Sequence, residues 1–189
     1  WTPKENVYVP KFKLYKNHAL NKYSDKVNGI YIFEITDVEI FAMAIPSGKE
    51  KIAMSSFKQH FKCKMPAVGK LEMHNKKDIK LLRMSYDQLF VIEKSKEKNE
   101  LEKAQTLFRN KFYITEQTDS WVGLTIGGNR INECLERMCS IDISIETFKV
   151  NAFARTVMEH LGVIIIRTKV NEFEIFSASS SIKSFLHTI

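Results

Sequence analysis

One alternation runs from Gly29 to Ile189 and restricts the possible folds more than any other feature: two short β-rich runs, then a helix with one apolar face. "IYIFEI" and "VEIFAMAI" precede "GKEKIAMSSFKQHF". There Ala53, Phe57 and Phe61 fall at i, i+4 and i+8, the spacing of a helical stripe. "IKLLRM" and "LFVIEK" precede a charged helix expected from Lys96 to Arg109, with Leu101, Ala104 and Phe108 as its apolar face. "FYITEQ" and "WVGLTI" precede "GGNRINECLERM", where Asn129 is the expected N-cap and Ile131, Leu135 and Met138 the buried stripe. Three further strands, "ARTVMEH", "VIIIR" and "FEIFSA", lead to a closing helix in "SSSIKSFLHTI", expected to be capped by Ser179 or Ser180. Repeated ββα units of this kind imply an α+β fold, with mainly antiparallel sheet covered on one face by helices. Their recurrence implies an internal pseudo-duplication. A hydrophobic content of 44% with 13 Phe supplies enough apolar surface for the core.

Residues 1–28 break the pattern. They are polar, rich in Lys, Asn and Tyr, and lack a clean period. The reading is two parts, an N-terminal arm over 1–28 and a folded domain over 29–189. Trp1, Tyr8, Phe12 and Tyr15 punctuate the arm too sparsely to build an element of their own. Interface cores favour such aromatics, so these four are the candidate partner interface.

The formal net charge of +7 favours acidic partners. The lysines are scattered, however, and Lys98 and Glu102 stand at the i,i+4 spacing of a solvated helix face. No basic block interleaves with aromatics, and no nucleic-acid motif is present. No run approaches the roughly 18 apolar residues of a membrane-spanning helix, and "WTPKENVYVP" is not a secretion signal. Cys63, Cys134 and Cys139 form an odd set without a disulfide framework, which points to the reducing cytoplasm.

Candidate chemistry is sparse. His60, Cys63 and His74 lack a fourth ligand and match no zinc spacing. The glycine pair in "IGGNRI" is neither GxGxxG nor a phosphate loop and reads as a strand-to-helix turn. Between Met138 and Arg167 the chain gathers Cys139, Asp142, Glu146, Arg155 and His160. With His160 as base, Cys139 would be a nucleophile, but nearby Asp142 and Glu146 would raise a thiol pKa rather than lower it. Cys139 reads better as a small buried residue at a helix end.

The order of four segments carries a resemblance: "MSSFKQHFKCKMP", "RMSYDQLFVIE", "TEQTDSWVGLTIGG" and "CSIDISIETFKVNAFARTVMEHLGVIIIRTKVNEFEIF". Together they resemble the gamma-subunit family of heterotetrameric sarcosine oxidase, over about residues 29–189. In the last segment Cys139, Asp142, Phe148, Ala154, Arg155 and Thr156 recur in the family's order and spacing. Tyr86, Leu89 and Asn151 depart from it, standing where the family has Pro, Trp and Gly.

The resemblance implies the fold of the folate-binding aminomethyltransferases, including the glycine-cleavage T-protein. It implies a subunit without catalysis of its own, in a complex that demethylates sarcosine to glycine. In such complexes alpha and beta subunits carry FAD, FMN and NAD, a delta subunit carries zinc, and tetrahydrofolate accepts the one-carbon unit. By the same resemblance this chain alone binds no cofactor, and "CSIDISIETF" is a fold signature. The alternative is a freestanding folate-dependent aminomethyltransferase-like enzyme, for which Asp87 is the candidate carboxylate, although "SYDQL" is also an ordinary turn sequence. A "GCYxGQE"-like segment of other relatives is replaced here by "KVNAFART".

Overall fold

Alternating strands with both faces apolar need cover on both sides, and the chain meets this with two sheets rather than one. The computed structural model describes residues 18–74, 78–94 and 100–189. Its elements are β1 (Ser24–Val27), β2 (Ile30–Glu34), β3 (Val38–Ala44), α1 (Glu50–Phe61), β4 (Leu71–His74), β5 (Ile79–Arg83), β6 (Gln88–Lys94) and α2 (Glu100–Leu107). There follow β7 (Tyr113–Glu116), β8 (Trp121–Gly128), α3 (Ile131–Met138), β9 (Phe153–Met158), β10 (Leu161–Lys169), β11 (Glu172–Ala178) and α4 (Ile182–Thr188). One sheet has the order β4-β5-β6-β3-β7 and the other β1-β2-β8-β11-β10-β9. Among the described residues every strand pairing is antiparallel.

The pleat sorts side chains into three apolar layers. In β3, Phe41 and Met43 point toward α1 and α2, where Ala53, Phe57, Phe61, Ala104 and Phe108 meet them. Ile40 and Ala42 point the other way, into a layer between the sheets with Phe90, Ile164, Ile166 and Phe176. The outer face of the second sheet packs Leu124, Ile126, Val163 and Ile165 under Ile131 and Leu135 of α3 and Phe185 of α4. The result is helices, sheet, sheet, helices. Each fully buried Phe contributes roughly 1.5–3 kcal/mol of transfer free energy, and truncating Phe57 to Ala would cost about 3–5 kcal/mol.

The duplication expected from the ββα rhythm is present, with a larger unit and an exchange of strands. In the first half β3, α1, β4, β5, β6 and α2 build one sheet and its helices; in the second, β8, α3, β9, β10, β11 and α4 build the other. The leading strand of each half joins the other half's sheet: β2 pairs with β8, and β7 with β3. The registers agree. Glu34 lies opposite Leu124, as Glu116 lies opposite Phe41. The N–H of Ile35 donates to Gly123 at 2.8 Å, as that of Gln117 donates to Ile40 at 2.8 Å.

Buried arginines repeat in the same way. Arg83 on β5 and Arg167 on β10 hold equivalent positions, opposite Leu89 and Phe173, and are 3% and 1% exposed. Arg83 donates to the carbonyls of Ser85 and Tyr86 and contacts Met65 Sδ; Arg167 donates to the carbonyls of Val170 and Ile143. Each ties the turn after its strand to the loop after the preceding helix. Gly69 and Asn151, whose N–H groups bond the carbonyls of Arg83 and Arg167, both have left-handed φ, +74° and +65°. Asn151 thus takes the left-handed conformation that Gly69 takes in the first half, one of the few that Asn tolerates.

Several local expectations are corrected. Asn129 does not cap α3: the cap position is Arg130, without a side-chain bond, because the turn after Gly128 (φ +131°) delays the first helical residue to Ile131. Neither Ser179 nor Ser180 caps α4; they lie in a 3₁₀ turn, and the Ser179 hydroxyl donates to the carbonyl of Asp119. The second helix, described from Glu100, ends at Leu107 instead of continuing to Arg109, and its expected start at Lys96 lies outside the described residues. β1, within the stretch grouped with the arm, pairs with β2. Trp1, Tyr8, Phe12 and Tyr15 lie outside the described residues.

Candidate functional site

Where the equivalent segments of the two halves meet, they leave a groove of about 690 Å³. Glu34, Thr36 and Asp37 enter it from the end of β2, and Glu116, Thr118 and Asp119 from the end of β7. This is a repeated Glu-x-Thr-Asp, legible in the sequence once the halves are aligned. Ile35, Val38, Trp121, Val122 and Gly123 supply the apolar part of the wall. Trp121 is held edge-on to Phe90, ring centroids 5.9 Å apart. Thr118 Oγ1 accepts the N–H of Ile40 at 3.1 Å, tying the segment to β3.

Glu34 accepts the N–H groups of Leu20, Lys22 and Tyr23 at 3.1, 2.6 and 3.3 Å, which fixes the incoming chain against the wall. Asp37, Glu116 and Asp119 are exposed along the rim. His18 and Ala19 complete the lining.

A smaller cavity of about 450 Å³ lies between β1, β2 and the helices α3 and α4, with Cys134 on its wall. Burial pushes the Cys134 thiol up, against the opposing pull of Arg137 and Arg130. Burial also raises Cys63, reinforced by Glu72, and raises Cys139 against two backbone hydrogen bonds. None of the three is tuned as a nucleophile, which requires a lowered thiol pKa.

The residues singled out between Met138 and Arg167 have structural employment. Cys139 ends α3, its N–H donating to Leu135 at 2.8 Å, and bridges to Met158 at the end of β9. His160 sits in the turn just beyond, exposed, with φ +69°, and no hydrogen bond joins it to Cys139. Asp142 accepts the N–H of Ser144 at 2.8 Å, and this bond, with those from Thr147 and the Ser144 side chain, holds its carboxyl below the usual range. Glu146 and Arg155 are exposed, Arg155 on the edge strand β9.

His60 is paired with Glu100 at 2.7 Å across α1 and α2. His74 lies on β4, its Nδ1 buried without a partner. Among the described residues no group of three or more His, Cys, Asp or Glu is placed to hold a metal ion. Gly127 and Gly128 serve close packing. A Cβ on Gly127 would lie 2.3 Å from the Tyr31 hydroxyl, and one on Gly128 2.0 Å from the carbonyl of Gly29. Asp87 is exposed in the β5–β6 turn, where its carboxylate accepts the Ser85 hydroxyl at 2.8 Å and its carbonyl accepts the N–H of Ile45 at 2.8 Å.

Sequence reasoning missed the charged pair between the sheets. Lys80 Nζ on β5 lies 3.1 and 3.0 Å from the two carboxylate oxygens of Glu174 on β11, and both residues are buried. It also missed the carboxylates around the start of α2, where Glu93 and Glu39 accept the N–H groups of Glu100 and Leu101 at 3.1 and 3.0 Å. A charge inside an apolar strand run was the available signal in both places.

No protein-family model matches the chain, and no curated protein matches it. Solved structures do. One chain of the heterotetrameric sarcosine oxidase from Corynebacterium sp. U-96, solved with pyrrole 2-carboxylate, superposes with a TM-score of 0.77 at 13% identity, covering 92% of this chain and 92% of that one. The glycine cleavage system aminomethyltransferase T from Bartonella henselae superposes with a TM-score of 0.61 at 10% identity. That match covers 83% of this chain and 44% of the aminomethyltransferase chain, so the chain corresponds to less than half of that protein. The fold is thus the one the sequence resemblance implied.

Proposed function

We propose that this chain is a noncatalytic, gamma-type subunit of a heterotetrameric sarcosine oxidase. In this role it supports oxidative demethylation of sarcosine by flavin-bearing partners, with one-carbon transfer to tetrahydrofolate. One observation carries the reading: the match to a chain of the heterotetrameric enzyme runs over 92% of both chains, whereas the aminomethyltransferase is matched over 44% of its length. The superposition thus spans nearly the whole of the oxidase chain but less than half of the aminomethyltransferase chain. The employment of the flagged side chains supports it. All three thiols are raised, and Asp142 and Asp87 are committed to their own turns. FAD, FMN, NAD and zinc belong, on this reading, to the alpha, beta and delta partners in the cytoplasm.

For tetrahydrofolate the groove offers exposed carboxylates and an indole, but among the described residues no buried unpartnered donor or acceptor points into it. No step is therefore assigned to folate on this chain. The test is co-expression of the full chain with the alpha, beta and delta subunits from the same host. Sarcosine-dependent oxygen uptake by a stable complex that forms only when the chain is present is the expected result. A fully active, stable complex assembled without it would overturn the reading.

A further inference from the structure

β9 closes one side of the six-stranded sheet, and over part of its length its outer backbone has no strand beside it. The hairpin fixes which groups face outward. Glu159 and His160 form its two-residue turn, with φ +44° and +69°, so the flanking pair Met158–Leu161 exchanges both ladder bonds. Bonded and non-bonded pairs then alternate. Thr156 and Ala154 bond Val163 and Ile165, whereas the N–H and C=O groups of Val157, Arg155 and Phe153 point away from β10. One of these is in use. The Val157 carbonyl accepts the N–H and the hydroxyl of Ser140 at 3.3 and 3.1 Å, beside the Cys139–Met158 bridge. A seventh strand thus starts at Cys139 and stops at Ser140. Among the described residues nothing bonds the outward groups of Arg155 and Phe153.

The space beside this edge has a floor. Lys80 of β5 meets Glu174 of β11, so β5 lies over β11. The duplication then sets β6 over β10, and the strand orders set β3 over β9, so that β7 projects beyond β9. Tyr113 and Thr115 of β7 stand opposite Ala44 and Ala42, on the side that faces the second sheet. Both are exposed, Tyr113 by 69%. β9 itself presents exposed Arg155 and Val157 on the same side as buried Phe153. Among the described residues no carboxylate pairs with Arg155. The other edge strands, β1, β4 and β7, have four residues each against six in β9, which makes β9 the longest template.

We infer that β9 takes an extended segment of a partner protein as a further strand, bonded to Phe153 and Arg155. An acidic side chain stands opposite Arg155, and apolar ones two residues to either side cover Tyr113 and Val157. Free ladder groups call for extended backbone rather than a helix. Opposite charges on directly opposed residues stabilise a strand pair, and like charges destabilise it. Two copies of β9 paired about Arg155 would set guanidinium against guanidinium, which disfavours self-association. The net charge of +7 also favours an acidic partner. The inference goes beyond the subunit assignment and does not rest on it.

Amide exchange of the isotope-labelled full chain, followed by NMR, tests it. The probe is a blocked heptapeptide with glutamate at its centre, valine two residues to either side and threonine elsewhere. Binding with a Kd of about 0.1 mM is expected, which at about 1 mM peptide slows exchange of the Phe153 and Arg155 amides roughly tenfold. A lysine at the peptide's centre should weaken binding about threefold or more, and Arg155→Glu should reverse that preference. Arg155→Pro removes an outward N–H and no bond to β10, so it should abolish binding while the chain melts cooperatively. No slowing with the glutamate peptide, protection of β1, β4 or β7 in place of β9, or equal binding of both peptides would overturn the inference. So would protection of Phe153 and Arg155 that grows with protein concentration in the absence of peptide, which would give the edge to a second copy.

Discussion

The buried Lys80–Glu174 pair joins the two sheets, and the duplication shows what could replace it. By strand register Lys80 corresponds to Ile164, and Glu174 to Phe90. Both counterparts lie in the same apolar layer between the sheets. The layer thus holds an ion pair at one pair of positions and apolar side chains at the equivalent pair. Removing one partner, as in Glu174→Gln, leaves the Lys80 ammonium buried without its counter-charge and should destabilise the fold by about 3–5 kcal/mol. Grafting the equivalent residues, Lys80→Ile with Glu174→Phe, removes both desolvation penalties and should be neutral or stabilising by up to about 4 kcal/mol. Equilibrium urea unfolding reads both: with a slope of about 2–3 kcal/mol/M, the single substitution lowers the midpoint by roughly 1–2 M. If Glu174→Gln stays within about 1 kcal/mol of the parent, or the double graft is worse than that single substitution, the account of this layer is refuted.

Further predictions concern other buried charges and the one candidate carboxylate. Arg167→Met should cost about 2–3 kcal/mol in urea unfolding, because the Ile143 carbonyl loses its donor and the guanidinium leaves the Phe173 ring, 4.4 Å away. Burial raises the Glu93 carboxyl above its ordinary 4.5, with Glu100 and Glu39 adding to the shift and the Glu100 N–H and Lys103 opposing it. The folded state then holds a proton that the unfolded state has lost, so this group's contribution falls as pH rises from 4.5 through the raised value. Glu93→Gln should therefore gain stability relative to the parent as pH climbs through that window, checked by parallel melts from pH 4 to 8. A difference independent of pH would contradict the assignment. Asp87→Asn should leave turnover of the reconstituted complex with tetrahydrofolate unchanged. A loss of about a hundredfold or more with assembly intact, the lower range for removing a general acid or base, would favour the enzyme alternative.

What the sequence discloses follows from which interactions leave a periodic mark. Ala53, Phe57 and Phe61 announce α1 because the helix buries a single stripe, and all three are in the core. β1 leaves no such mark: "SDKV" is exposed throughout and joins the sheet only through its backbone pairing with β2. The division into two sheets is hidden because β3 and β10 bury both faces, so "FAMA" and "VIIIR" carry no alternation to assign a side. The exchange of β2 and β7 depends on tertiary pairing alone. At the groove, each half of the repeated Glu-x-Thr-Asp is visible, but that Glu34–Asp37 and Glu116–Asp119 face one space is a product of the exchange. Lys80 misleads for a related reason: a lysine in a strand reads as its solvent side, whereas here that side faces Glu174.

The central claim, that the chain is a noncatalytic subunit of a flavin-bearing heterotetramer, is tested most directly by native mass spectrometry of the complex recovered from the native host through the tagged full chain. The account predicts one copy of this chain with one each of three different partners, in a particle carrying flavin and oxidising sarcosine. Recovery of the chain only as monomer or homodimer, itself transferring one-carbon units to tetrahydrofolate, would contradict it.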